Sequence, residues 1–456
     1  MIMPNIDYRD VKTNSSVDVL NAIRNSASQN YKDHVPLATP DANTIRSIGN
    51  VIMDFPEIQN EFLSALINRI AEVKVTNKYY TNPFAVFKKG KLNFGEVIED
   101  IFIDLAHVKN YSPERAETTV FQREFPDVKS AFYVMNYQKY YKQTVQPYDL
   151  ENAFLSINGV SSFIEKIVTT MFTAMEQDEF LTIKYMLAYR IYSGLMKPYE
   201  IPAVTKQNME EIVEAIQTVS DDMTFLKKDY NLVGVNNFAL KDDQYLIVSA
   251  KFNAKRNVEV LASAFNMDKV EFLGHIKLID SFGSLDIERL NELFKGDENY
   301  HEFSQHEMEA LDAVPCILVD KDFFQIYDKL TEMRAIENTE GLYRNMTLHA
   351  WRIYAISPFA NNALFVAGTP SITGVTVSPA TVTLSKGGKI QLSAKVESTN
   401  FAPSGLTWSS NSEKATVTST GIVTVSADAV AGDEIVITAT SVYDNTMSGT
   451  ATITVA

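Results

Sequence analysis

Few side chains in this sequence could do chemistry. The six histidines are His34, His107, His275, His301, His306 and His349. Only His301 and His306 lie close together, and the flanking Glu302 and Glu307 would suit a divalent cation. Two residues five apart do not share a helical face, however, so no metal site is expected. The single cysteine, Cys316, sits in the apolar run PCILVD with no basic neighbour to lower its pKa, and reads as a core thiol. The stretch GVSSF at Gly159 lacks the second glycine of a nucleophile elbow, and no glycine-rich phosphate loop follows a strand. The expectation is a chain that is not an enzyme, with no catalytic residue, cofactor or metal. The remaining candidates are charges. Lys88, Lys89 and Lys91 crowd the turn FKKGKLNFG, and Glu176 and Glu179 interrupt the longest helical signal. The bland reading of the lysines is a solvated basic hairpin; the functional one is a loop that docks on an acidic neighbour.

Composition narrows the function classes. The chain has 456 residues, 45% hydrophobic and 21% charged, with a formal net charge of −16. That length is enough for two or three domains. The charge argues against a nucleic-acid-binding surface, which needs clustered Lys and Arg. One cysteine allows no intrachain disulfide. The N-terminal MIMPNIDYRDVKTNSS has neither a basic nor an apolar region of a secretory signal, so export by that route is not expected.

The elements that must position these residues follow hydrophobic period. The longest runs from Ser161 to Leu195. Ile164, Ile167, Val168, Met171, Met175, Phe180, Ile183 and Leu187 are spaced as one helical face, and Ser162 with Glu165 fits a capping box. Glu165, Lys166, Glu176, Asp178, Glu179, Lys184 and Arg190 exclude a membrane span. Residues 1–60 read as an extended arm with a short helix over Val17, Leu20 and Ile23. A second helix is expected from Glu57 to Ala71, on Phe62, Leu66, Ile67 and Ile70. Residues 72–146 are rich in Val, Ile, Phe and Tyr and read as strands. There Val97, Glu99, Ile101, Ile103 and Leu105 share one face, a charge among apolar neighbours that suggests an edge or an interface.

Residues 206–330 read as an α/β unit. It has a helix on Met209, Ile212, Val213, Ile216 and Val219, strands QYLIVSAKF, HIKLID and PCILVD, and a helix VEVLASAFN. KDFFQIYDKL reads as an extension of the last strand. Asp286–Asp312 carries nine acids against Arg289 and Lys295, and reads as a solvated flap. Residues 341–367 read as strands returning to the long helix. From residue 370 the composition shifts to Thr, Ser, Val and Gly. Short alternating strands then predict a half-buried sandwich with Trp408 at its centre. That module carries four bases against six acids, which leaves −14 of the net charge on residues 1–369.

VTVSPATVTLSKGGKIQLSAKV, LTWSSNSEKATVTSTGIVTV and GTATITV make residues 370–456 resemble the bacterial Ig-like group 2 domain (BIG2). The preceding residues resemble the major capsid protein of phi-twenty-nine-like short-tailed phages. That resemblance rests on NAIRNS, VPLAT, FKKG, VFQREFPDVK, EVLASAFNMDKVEFLG, LVDKDFFQIYDKL and GLYRNMTLHAWRIYAISPFANNALFVAG. It implies an α+β chain: the tailed-phage capsid fold of HK-ninety-seven type followed by an all-β Ig-like sandwich. Residues 1–369 would be the capsid domain, with an N-terminal arm at 1–60, an extended loop at 72–125, the spine helix of the peripheral domain at 161–195 and an axial domain at 206–330. The segment between Phe282 and Val314 looks longer than the family needs.

The function implied is that of a major capsid protein. It would self-assemble into the icosahedral or prolate shell enclosing the double-stranded DNA of a tailed podovirus, with the Ig-like domain on the outer surface. Its partners would be other copies of itself, a scaffold protein, a portal or connector and head fibres. DNA would be enclosed without sequence-specific binding, and an acidic lining would let it move. A host cell-wall glycan is a candidate ligand of the Ig-like domain, and no membrane is involved. The protein would be assembled in the host bacterial cytoplasm and reside in the virion capsid. Lys88, Lys89, Lys91, Glu176 and Glu179 become candidate subunit-interface residues. Lysines near the hairpin and Asn361-Asn362 make an isopeptide crosslink conceivable, but uncrosslinked subunits are the expectation. The competing readings are a cell-surface adhesin or glycan-binding protein, suggested by the Ig-like module alone, and a cytoplasmic α/β enzyme.

Overall fold

The protein is described here by a computed structural model. It describes residues 16–72, 82–92, 97–110, 123–156, 159–255, 275–338, 340–341 and 343–456. The chain folds into two units. One comprises Met1–Glu96, Val134–Phe180 and Ile326–Tyr354; the other comprises Val97–Tyr133, Leu181–Gln325 and Ala355–Ala456.

In the first unit the N-terminal region is helical where an extended arm was expected. It forms α1 (Ser16–Ser26), α2 (Gln29–His34), α3 (Ala42–Asp54) and α4 (Pro56–Glu72). The reason is burial: Ile23, Tyr31, Ile45, Ile48, Ile52 and Phe62 are all enclosed. The connection is tied down by Arg24, whose Nε donates to Val35 O at 2.7 Å, and by Asn21, which exchanges two bonds with the Ala38 backbone. Leu66, Ile67 and Ile70 lie outside the described side chains. FAVF, read as a strand, is a 3-10 turn over Ala85–Phe87 that leads into strand β1 (Lys88–Lys91).

The stretch SAFYVMNYQKYYKQTV, within the residues expected to be strands, contributes to two of them. In the second unit, β2 (Ile98–Ile103) pairs antiparallel with β3 (Val128–Tyr133). After a break at 134–136, β4 (Tyr137–Val145) belongs to the first unit. It is followed by helix α5 (Pro147–Phe154). The long helix, α6, runs from Gly159 to Tyr192, on the order of 50 Å at 1.5 Å per residue. Residues 159–180 belong to the first unit and 181–192 to the second. Because the helix begins at Gly159, Ser162 lies inside it and is no cap. Gly194, at φ 64°, ends it, with Leu195 N bonded to Arg190 O, a glycine C-cap. Of the expected apolar face, Ile167, Met171, Met175, Ile183 and Leu187 are buried; Ile164 and Val168 lie outside the described side chains.

The remaining elements of the second unit start with β5 (Pro198–Ile201), α7 (Met209–Asp222), β6 (Gln244–Ser249), a short α8 (Ala250–Asn253) and β7 (Ile276–Ile279). They continue with α9 (Ile287–Phe294), α10 (Gln305–Asp312) and β8 (Cys316–Asp320). β9 (Phe324–Asn338) and β10 (Tyr343–Ile356) complete a four-stranded sheet in the first unit, ordered β1-β9-β10-β4. KDFFQIYDKL is therefore a turn plus a new strand in a different sheet, not an extension of PCILVD. With β11 (Asn362–Ala367) the second unit forms a five-stranded mixed sheet, β5-β11-β8-β6-β7. α7 packs on it through Ile212, Val213, Ile216 and Met223 against Leu246, Val248, Leu318 and Phe365. The helix expected over VEVLASAFN lies outside the described residues.

The acidic segment is not a solvated flap. Asp286 caps α9, and Ser304 with Glu307 forms the capping box of α10. Leu290, Leu293, Phe303 and Leu311 are buried. Tyr185 of α6 packs against Phe294, Tyr300 and Phe303, with ring centroids 5.4–5.8 Å apart. Glu288, Glu292 and Glu309 occupy exposed positions of the two helices, and Asp297, Glu298 and Glu302 are exposed in the connection between them.

The C-terminal module consists of nine strands from β12 (Ser371–Ser378) to β20 (Ser448–Val455). Its core centres on Leu392, Val423, Ile435, Ile437, Ala451 and Ile453. Trp408 is not that centre: it is half-buried at the margin, where Gly421 leaves room for its ring.

Candidate functional site

The charged residues singled out above separate into two groups. Glu179 is fully buried in its own unit, although the sequence suggests that it faces a neighbour. Its carboxylate accepts Asn82 Nδ2 at 2.7 Å and Lys88 Nζ at 3.1 Å, and pairs with the Arg352 guanidinium. Arg352 Nε donates to Asp328 Oδ1 at 2.8 Å, and Lys88 reaches Asp328 Oδ2 at 2.9 Å. Two cations therefore meet two carboxylates, with no charge left over. Such full pairing is what makes burial tolerable. Glu176, half-buried one turn earlier, accepts the Asn82 backbone N–H at 3.0 Å. Lys88, Glu176 and Glu179 thus work inside the subunit; Lys89 and Lys91 are exposed.

Around this cluster, Phe84 stacks on Phe180 at 5.5 Å and on Phe87 at 5.8 Å. Tyr141 donates its hydroxyl to Asp178 at 2.7 Å. Burial pushes Tyr141 and Tyr354 well above the ordinary phenol range, so both keep their protons. The arrangement is mechanical. It locks the start of the chain excursion that leaves at β1 onto the long helix and sheet of its own unit. Asn82, Asp328 and Arg352 were missed by sequence reasoning. Arg352 was detectable in principle, since it shares the inward parity of Met346, Leu348 and Ala350 on β10.

In the second unit the β2–β3 hairpin has two unlike faces. On one, Asp100 Oδ2 accepts Tyr133 Oη at 2.9 Å and Ser357 Oγ at 2.7 Å, and Phe102 stacks on Phe359 at 5.8 Å. Just past β2, Asp104 accepts Asn236 Nδ2 at 2.8 Å; this bond and the one from Leu105 N hold its carboxyl below the usual carboxylate range. On the other face Val97, Ile101, Ile103, Leu105, Val128 and Phe132 are each more than half exposed. A bare apolar face of this kind marks a surface that another molecule covers. The chain leaving β2 and entering β3 passes through residues 111–122, outside the described residues.

The sites of possible chemistry resolve otherwise. Cys316 is buried and its thiol is pushed up by burial. His301 stacks on Tyr192 at 4.9 Å and lies 3.3 Å from Glu307. No group of three or more His, Cys, Asp or Glu among the described residues is placed to hold a metal ion. Asn361 and Asn362 are both buried. No helix among the described residues is long and apolar enough to cross a membrane.

Comparison with known proteins identifies the family. Residues 20–366 match the model of the Phi29-like phage major capsid protein. The chain belongs to that family. Residues 371–455 match the bacterial Ig-like domain (group 2). The major capsid protein of Bacillus phage B103 is 35% identical over 435 residues, covering 93% of this chain and 90% of that protein. The major capsid protein of Bacillus phage PZA is 33% identical, covering 92% and 90%. The capsid structure of Staphylococcus phage Andhra superimposes with a TM-score of 0.51 at 14% identity, over 65% of this chain and 88% of that one. The fold is thus the HK-ninety-seven-type capsid fold, followed by an Ig-like sandwich. The protein is a major capsid protein of a tailed phage and a component of the virion. The adhesin reading, drawn from the Ig-like module alone, leaves the family match over residues 20–366 without an explanation.

Proposed function

We propose that this major capsid protein closes into an icosahedral or prolate shell around double-stranded DNA, and that the β2–β3 hairpin lies over a neighbouring copy. The observation that carries this is the bare apolar face of Ile101, Ile103, Val128 and Phe132, opposite a face fixed to its own unit. In this reading residues 1–60 are the N-terminal arm, 72–125 the extended loop, 161–195 the spine helix and 206–330 the axial domain, with residues 370–456 displayed on the outer surface. Lys89 and Lys91, which lie on β1 and not in a basic hairpin as expected, are the charges that meet acidic surface on a neighbour. Assembly takes place in the host bacterial cytoplasm, with a scaffold protein, a portal and head fibres as partners. DNA is enclosed without sequence-specific contacts, and a cell-wall glycan is a candidate ligand of the Ig-like domain. The chain acts as a structural protein with no catalytic step.

The test is Ile101→Asp combined with Phe132→Asp, which places charge on the bare face while leaving the inward face intact. The expected outcome is loss of particles by negative-stain microscopy and sedimentation, with the thermal unfolding of the subunit unchanged. Normal particles from this variant would overturn the hairpin assignment.

A further inference from the structure

The C-terminal module meets the rest of its unit at the end of α6, and the seam contains a backbone that local chemistry would not choose. β15 (Ser393–Thr399) turns through Asn400 and Phe401, at φ 48° and 57°, and Ala402 N closes the turn on Thr399 O at 3.2 Å. Two successive positive φ values are type I′ geometry, whose second position is normally glycine because a Cβ crowds the backbone there. Asparagine tolerates this region; a bulky phenylalanine is an outlier that persists only where its surroundings compensate.

Residues outside the module lie beside this turn. Asn400 and Phe401 line a cavity of about 300 Å³ together with Tyr192 at the end of α6 and His306, Glu307 and Ala310 of α10. Asn400 Nδ2 donates to Thr369 O at 3.1 Å, and Ser404 Oγ donates to Ser193 O at 2.7 Å. Gly194 makes the approach possible: a Cβ there would lie 2.8 Å from Ser404 N and 3.1 Å from Ala402 O. The cavity does not read as a ligand site, because its carboxylate is occupied. Glu307 already accepts Ser304 N and Ser304 Oγ at 2.8 and 2.9 Å. Phe401 is also absent from the module's own buried core.

We propose that the Asn400–Phe401 turn is an intramolecular anchor that holds the Ig-like module in one pose on the C-terminal end of the long helix. Phe401 occupies a position that favours glycine because its ring serves the seam. The module is then carried as a fixed projection, not on a free tether at Gly368–Pro370. This inference does not depend on shell formation.

Phe401→Gly in the full-length chain tests it, because the two roles of the residue pull in opposite directions. Glycine relaxes the turn, so the melting temperature of the module is expected to hold or rise. Loss of the ring frees the seam. Amide exchange at 192–195 and across α10 is expected to speed up about tenfold or more, and protease cleavage within 368–370 to rise with it. Gly194→Ala, which closes the seam from the helix side, is expected to give the same exchange signature. Unchanged exchange and cleavage in both variants would overturn the proposal. So would a lower melting temperature of the module in Phe401→Gly, which would place the ring in the module's own stability.

Discussion

At the scale of single residues, four ionisable side chains of the long helix are out of solvent among the described residues: Asp178, Glu179, Lys184 and Arg190. Three have partners. Asp178 accepts Tyr141, Glu179 sits between Arg352 and Lys88, and Lys184 Nζ reaches Asp280 at 2.6 Å and Ser284 Oγ at 2.8 Å. Removing one partner of a buried pair strands the other, so Glu179→Ala is expected to destabilise the subunit by about 3 kcal/mol or more. Glu176→Ala, at a half-buried position bonded among the described residues only to a backbone N–H, is expected to cost about 1 kcal/mol. Urea unfolding of the two variants checks the contrast; equal losses would contradict the intramolecular role of Glu179. Arg190 differs from the other three. Its Nε and Nη2 have no hydrogen-bond partner among the described residues, and burial, opposed by Tyr133, lowers its pKa to about 10. A buried guanidinium with two nitrogens left without partners opposes folding, so Arg190→Met is expected to raise stability by about 1 kcal/mol or more, read as a higher urea midpoint.

At the scale of elements, α10 shows how a helix start sets pH dependence. Burial alone would raise Glu307, but bonds from Tyr192 and from Ser304 N and Oγ, with His301 beside it, hold its carboxyl at about 2, against an ordinary 4.5. Its folded pKa is below its unfolded one. The stabilisation is therefore complete above about pH 4.5 and is lost as pH falls from there towards 2. Glu307→Gln is expected to lower stability at neutral pH and to flatten the fall in this acid window, as measured by urea unfolding at successive pH values. A variant with the full wild-type acid slope would contradict the assignment. The same element shows what a composition-based reading misses. Nine acids in 27 residues suggested a solvated flap, yet Leu290 and Leu293 on α9, Leu311 on α10 and Phe303 just before it are buried, and that burial decides the structure. The hairpin is the opposite case: its alternation was legible, and the exposed apolar face is where the expectation of an interface had pointed.

At the scale of the whole molecule, the chain joins a capsid fold to an Ig-like sandwich with its own core. Since the sandwich shares no strand with the sheets of residues 1–367, a chain ending at residue 369 is expected to assemble. Its particles should have the same diameter by electron cryomicroscopy and lack the module's density. Failure to form particles would show that the module braces neighbouring subunits.

The sequence by itself determined what depends on local pattern. Period 3.6 located the long helix to within a few residues, period 2 found β2 and the module's strands, and runs rich in Val, Ile, Phe and Tyr marked β4 and β6. No convergent acid, base or nucleophile stands out in the sequence, which left charges and apolar faces as the candidates. Tertiary structure decided which charges face inward. Glu176 and Glu179 looked alike as a polar break, but Asn82, Asp328 and Arg352, each distant in sequence, converge on Glu179 and satisfy it in a space without water. Long-range pairing of this kind leaves no trace in local spacing, because a buried charge is tolerated only by partners that the fold brings to it. Lys88 turned inward for the same reason, while Lys89 and Lys91, further along the same strand, are exposed.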